Sequence, residues 1–190
     1  MAARRLFAEH GYSGTSLNDI AAEVGIRRPS LLHHFGHKEA LYQEVFKACL
    51  AEWLVAVNAA VEEIEGGWPL LDAVLDASSA FFRRNPEAVR LIRREAIDGG
   101  ANLDFDVALT LRPIFDRAVA FLEREMASGV FRRMAPRDLL ISAYAALFGY
   151  FSDASILAGL IDCDPLDPAR VTAHVDHLRD LFRSALRPDG

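Results

Sequence analysis

Residues 17–36 read LNDIAAEVGIRRPSLLHHFG, a string that suits two short helices crossing steeply through a tight turn. Such a crossing needs a small residue where the helices approach, a glycine at the turn and apolar residues that seal the wedge. Ala21, Gly25 and Leu31 meet these needs, and Ile20, Val24, Ile26 and Phe35 are expected to complete the apolar core. Arg27, Arg28, Ser30, His33 and His34 are then left to face outward. A polar, basic second helix of this kind is suited to DNA. The major groove admits one helix, whose N-terminal side chains reach base edges while flanking groups hold phosphates.

Charge along the chain supports that reading. The protein has 190 residues and a net charge of −6, yet residues 1–50 hold six Lys/Arg against five Asp/Glu, and the acidity belongs to residues 51–190. No acidic residue stands between Glu23 and Glu39, the longest such gap, and Arg27, Arg28, His33, His34, His37 and Lys38 all lie inside it. A small basic face on an acidic protein points to a localised polyanion contact. His33 and His34 project to different sides of a helix, so no metal site is expected from them.

The rest of the chain is punctuated for helices, with no alternating Val/Ile/Thr-rich run that would make a strand. The expected fold is all-α, about nine helices, with an N-terminal three-helix unit over 1–46 and a helical bundle over 47–190. Leu6 and Phe7 lie on a first helix that stops at Gly11, and Thr15 with Ser16 caps a second. Pro29 opens the third, which ends near Gly36. A fourth, about 40 Å long, runs from Lys38 toward Gly66 with Phe46, Leu50, Trp53, Val57, Val61 and Ile64 on one stripe. Further helices are expected from Pro69 to Arg84, from Pro86 to Gly99 and from Asp104 to Ser128, the last kinked or split at Pro113. An apolar helix from Pro136 to Ile161 and a last one from Pro168 to Leu186 complete the set. The charge-free stretch Leu139–Ser152 is 14 residues long, short of the roughly 20 that span a bilayer. Together with Asp153 this implies a protein-buried helix and no membrane contact.

Composition narrows the classes further. With 52% apolar and 25% charged residues the chain is expected to be globular. Its two cysteines, Cys49 and Cys163, are too far apart in sequence to suggest a knuckle, which fits a reducing cytoplasm. There is no phosphate-cradling glycine loop, no HExxH and no nucleophile elbow, so neither an enzyme nor a cofactor is expected. Phe81, Phe105, Phe115, Phe148 and Phe151, with Asp153 interrupting the apolar helix, are candidates to line a cavity among the C-terminal helices. Arg93, Arg94 and Glu95 make a mixed run whose default is a solvated face with local pairs.

From Ala3 to Leu41 the chain resembles the DNA-binding domain of the TetR family of transcriptional regulators. The resemblance rests on Leu6-Phe7 and Gly11-Tyr12 at the end of helix one, the Thr15-Ser16 cap, the Ile20-Ala21-x-x-x-Gly25-Ile26 turn, and Phe35-x-x-Lys38-Glu39-x-Leu41 entering helix four. It implies a ligand-responsive regulator, usually a repressor, that binds a pseudo-palindromic double-stranded operator as a homodimer and answers to a small-molecule effector. On the matching positions Thr15 and Ser16 hold phosphate, Lys38 holds phosphate at the start of helix four, and Arg28, Pro29, Ser30, His33 and His34 face the groove. The helices over 136–161 and 168–186 would form the dimer interface. Two departures stand out: Leu32 occupies a position that is usually a backbone-contacting Tyr, and Met1 falls inside the family's first helix, so a longer N-terminus is expected. A helical protein-interaction module without sequence-specific DNA binding is the alternative.

Overall fold

A computed structural model describes residues 1–188 as ten α-helices, with no strand among the described residues. They are α1 (Ala2–Gly14), α2 (Leu17–Glu23), α3 (Arg28–Phe35), α4 (Lys38–Val61), α5 (Gly67–Arg84), α6 (Pro86–Ile97), α7 (Val107–Ala127), α8 (Pro136–Ser152), α9 (Ala154–Ile161) and α10 (Pro168–Leu186). The helices sort into two compact units: the first takes Met1–Leu54 and Asn85–Val107, the second Val55–Arg84 and Ala108 onward.

In the first unit α1 buries Leu6, Phe7 and Ala8 and packs on α6, which buries Ala88, Val89, Leu91 and Glu95. Gly11 has φ +73° and ψ 177°, so α1 kinks there and continues to Gly14 instead of ending. That backbone is open to glycine alone at low cost. Arg94 of α6 fills the space beside the kink, its guanidinium 2.7 Å from where a Cβ would stand, and donates to the Glu9 carbonyl at 3.1 Å. Tyr42 of α4 sits edge-on to Phe7 and Tyr12, with ring centroids 4.9 and 5.1 Å away. Its hydroxyl donates to Glu95 at 2.6 Å, and the Asn102 amide donates to the same carboxylate at 3.0 Å. Glu95 is 1% exposed, so the expected solvated face over 93–95 is corrected at Glu95 alone, which is directed into the unit, whereas Arg93 and Arg94 are exposed.

Cys49 is fully buried in this unit, and burial pushes its thiol up from 9.0 to about 11. A folded value above the unfolded one means that the contribution is complete below pH 9 and is lost as pH rises through 11. Roughly 2 to 3 kcal/mol is at stake for a shift of this size. The thermal midpoint of the wild-type chain should therefore fall between pH 8.5 and 11, and a Cys49→Ala protein should fall less steeply over the same range.

The second unit is centred on Leu122, Met126, Phe131, Leu139 and Leu186, with Trp68, Leu71, Phe121, Leu140 and Phe182 packed against them. Phe82 meets Phe148 and Phe151 at 5.3 and 5.7 Å between centroids. Arg179 and Arg183 of α10 reach Asp72 of α5 at 3.5 and 2.6 Å, and Arg179 also pairs with Asp76 and Asp176. Exposed pairs of this kind contribute little singly. Pro113 lies within α7, which is not split.

The expected single buried helix over 136–161 is corrected to two helices bent by 79°. Asp153 ends α8, and its carbonyl accepts from the Ile156 and Leu157 amides at 2.9 and 3.0 Å to begin α9. The Ser152 hydroxyl donates to the Asp153 carboxylate at 3.0 Å. α8 buries Leu139, Leu147, Phe148 and Phe151, whereas α9 buries nothing. No single helix among the described residues is long and apolar enough to cross a membrane.

Candidate nucleic-acid interface

The first unit builds its basic face on α3 and on the start of α4. Ser16 begins the construction: its hydroxyl accepts from the Asp19 amide at 3.1 Å, while the Asp19 carboxylate accepts from the Ser16 amide at 3.1 Å. This reciprocal cap satisfies first-turn donors of α2 that no helical carbonyl can reach. The Ser16 hydrogen bonds also hold the Asp19 carboxyl below its usual value. Gly25, with φ +71°, makes the turn, and the Ile26 amide donates to the Ala21 carbonyl at 3.0 Å.

α3 then presents nearly all of itself to solvent. Leu31 is its one buried residue, at 5% exposure, while Arg27, Arg28, Pro29, Ser30, His33 and His34 are exposed. Leu32 and Phe35 are half-buried. The wedge is sealed by Ile20, Ala21 and Leu31; Val24 and Ile26, expected inside it, are instead 47% and 42% exposed. Both lie where the chain turns out of α2.

Lys38 starts α4 with its ammonium 4.2 Å from the centre of the Tyr12 ring. The Tyr12 hydroxyl donates to Glu39, and burial followed by that carboxylate pushes the phenol up to about 12. His37 caps α4, its Nδ1 accepting from the Ala40 amide at 3.1 Å. Ser16 and Lys38 therefore stand at two helix N-termini, where amide dipoles favour an anion. Thr15 is placed otherwise: it is 2% exposed, and its hydroxyl lies 3.0 and 2.8 Å from the Leu6 and Gly11 carbonyls. It closes the kinked end of α1, whereas Ser16 is exposed at the start of α2.

Three supporting groups escape sequence reading. Tyr12 positions Lys38, Glu95 holds Tyr42, and Arg94 caps the kink. Tyr12 and Lys38 are both visible within the motif, yet nothing in their spacing says that they touch. The Glu95 and Arg94 contacts cross 53 and 85 positions of chain.

Of the residues expected around one cavity, Phe105 falls in the first unit and Phe81, Phe115, Phe148, Phe151 and Asp153 fall in the second. Phe105 lies in the first unit, 6.3 Å from Phe46 and beneath the Lys47 ammonium. Phe81, Phe148 and Phe151 pack with Phe82 in the second unit, Phe115 lies under Arg137, and Asp153 makes the bend. In that unit a hollow of about 100 Å³ is walled by Trp68, Leu71, Leu75, Leu122, Leu139 and Phe182.

Comparison with known proteins matches both ends of the chain. Residues 1–45 match the family described as bacterial regulatory proteins, tetR family, and residues 70–181 match the tetracyclin repressor-like C-terminal domain. The HTH-type transcriptional regulator RutR of Escherichia coli is 25% identical over 98% of this chain and 88% of its own. IcaR of Staphylococcus aureus, a negative regulator of the biofilm operon icaADBC, is 48% identical over 23% of this chain and 24% of its own. Among solved structures, the TetR-family regulator PfmR of Thermus thermophilus has a TM-score of 0.74 at 23% identity, covering 95% of this chain and 94% of that one. The fatty acid degradation regulator FadR of Bacillus halodurans has a TM-score of 0.73 at 16% identity, covering 95% and 90%. With an exposed basic helix held behind a capped one, and with matches over the head and most of the body, the chain belongs to the TetR family of transcriptional regulators.

Proposed function

We propose that the chain works as a homodimeric repressor that reads a pseudo-palindromic operator and is released by a small-molecule effector. The observation that carries this is α3, whose eight residues bury only Leu31 and, with Arg27 before them, expose Arg28, Ser30, His33 and His34. At 1.5 Å per residue it is about 12 Å long, comparable to the width of the major groove. Ser16 and Lys38 are assigned to phosphates, and Arg28 with its α3 neighbours to base edges. Regulators of this family bind operators as dimers, and two copies related by a two-fold axis require half-sites about 34 Å apart or a multiple of it. The dimer surface is assigned to α8 and α10, which expose Ile141, Tyr144 and Leu181. The effector is placed in the second unit, where the 100 Å³ hollow admits a small apolar group.

Selection of bound sequences from a random double-stranded library, followed by salt titration, tests the reading. A pseudo-palindrome whose affinity falls steeply with salt is the expected result, because phosphate contacts release counterions. Failure to enrich any sequence would favour a protein-interaction role instead. On the selected operator, Arg28→Ala should cost about 1 to 3 kcal/mol and relax preference at one base position, whereas Lys38→Ala should weaken all DNA similarly. If Arg28→Ala left base preference intact, its assignment to base readout would be wrong.

A further inference from the structure

Where α10 packs on α8, the contact includes a histidine whose bonding is incomplete. His174 of α10 is half-buried, and its ring stacks flat on Tyr150 of α8, with 3.9 Å between centroids and 10° between planes. The Ala146 carbonyl, one turn earlier on α8, accepts from the imidazole. The Tyr150 hydroxyl donates to the Pro165 carbonyl at 2.7 Å, so both rings of the stack are held. Nε2 of His174 is the exception: it is shielded from solvent and has no hydrogen-bond partner among the described residues. The bond to Ala146 therefore comes from Nδ1, which fixes the neutral tautomer with its proton there.

A neutral ring can leave one nitrogen as a bare lone pair, but a proton on that nitrogen makes a charged donor, and a buried charge without an acceptor is costly. The groups around the ring do not relieve it. On α10, Arg170 stands four residues before and His177 three after, on the same side of the helix, and both oppose a further cation. On α8, burial raises the Tyr150 phenol, which therefore brings no negative charge, while Arg170, Cys163 and Asp164 act on that phenol in turn. The Tyr150 face attracts a cation, yet it offers no acceptor to Nε2. Burial pushes the imidazole below its ordinary value, the Ala146 bond pulls it partly back, and His177 and Arg170 push it down again. A folded value below the unfolded one means that the stabilising contribution is complete above pH 6.5 and is lost as pH falls through the folded value.

We propose that His174 is a proton-operated latch between α8 and α10, closed while Nε2 is a bare acceptor and opened when Nε2 takes a proton from solvent. The charged N–H must then reach water, and the ring reaches water only by leaving Tyr150 and Ala146. α8 and α10 also wall the hollow beside Trp68, so mild acid loosens one side of it.

Amide hydrogen exchange of the full chain, read by NMR together with the His174 imidazole resonance, tests the latch. Between about pH 7.5 and 5, wild type should lose protection at least about tenfold over 143–150 of α8 and 171–178 of α10, after correction for the intrinsic exchange rate. His174→Phe keeps a ring on Tyr150 and cannot take a proton, so its protection there should stay flat. His174→Gln, equally unable to titrate, decides the matter if the larger ring does not fit. His177→Gln removes a cationic neighbour and should move the wild-type transition to higher pH, which a general loosening by acid would not do. Flat protection in wild type, equal acid losses in wild type and both His174 variants, or a His174 resonance that titrates at or above pH 6.5 overturns the latch.

Discussion

Replacing Glu95 with leucine should cost about 3 to 5 kcal/mol of stability in the first unit, read as a fall in its unfolding midpoint. Glu95 is 1% exposed and serves as acceptor for the Tyr42 hydroxyl, the Asn102 amide and, at 3.3 Å, the Asn102 side chain. Leucine removes all three acceptor contacts and leaves the donors in place, and a buried donor without a partner costs about 1 to 3 kcal/mol. Burial and the Glu95 carboxylate both raise the Tyr42 phenol, so it remains a donor throughout the ordinary pH range. Tyr42→Phe removes one stranded donor, so the double variant should recover part of the loss. A Glu95→Leu protein within about 1 kcal/mol of wild type would show that water replaces the carboxylate and that the network is dispensable.

Leu31→Ala should be nearly as damaging, at about 2 to 4 kcal/mol, and should affect DNA reading selectively. Leu31 is the sole buried residue of α3, so truncating it removes the one fully buried side chain that holds that helix to the unit. Arg27, Arg28 and Lys38 keep their charges, and non-specific binding with its salt dependence should survive. Operator affinity should fall at least about 100-fold toward the non-specific level, because base contacts require a fixed helix orientation. Equal losses on operator and scrambled DNA would instead mean that the variant had unfolded the whole unit.

Most of the local architecture is legible in the sequence. Gly25, Gly36, Pro29, Pro86, Pro136 and Pro168 each set a boundary by a rule that depends only on backbone chemistry, and Ser16 makes the cap expected of it. The face of α3 follows from its residue types. What escapes depends on partners distant in sequence. Hydrophobicity alone puts Val24 and Ile26 inside the wedge, yet both are exposed. Thr15 and Ser16 carry the same chemical group, and only the kink at Gly11 decides that one hydroxyl turns inward. Glu95 reads as a surface charge because its acceptor role depends on Tyr42, 53 positions earlier. The stretch over 136–161 reads as one helix because its composition is uniform, whereas the chain breaks at Asp153 into two helices.

The first unit is assembled from two stretches of chain, Met1–Leu54 and Asn85–Val107. When α1 to α3 emerge from the ribosome, the residues that finish their core, among them Ala88, Leu91 and Glu95, have not yet been made. At 5–20 residues per second, the 53 positions from 54 to 107 take roughly 3 to 10 s. Throughout that interval the helices that read DNA lack the support that fixes them. A nascent chain of this protein therefore gains its grip on an operator only after α6 has been made, and an early-terminated product carrying the whole basic motif would still be unable to hold it in place.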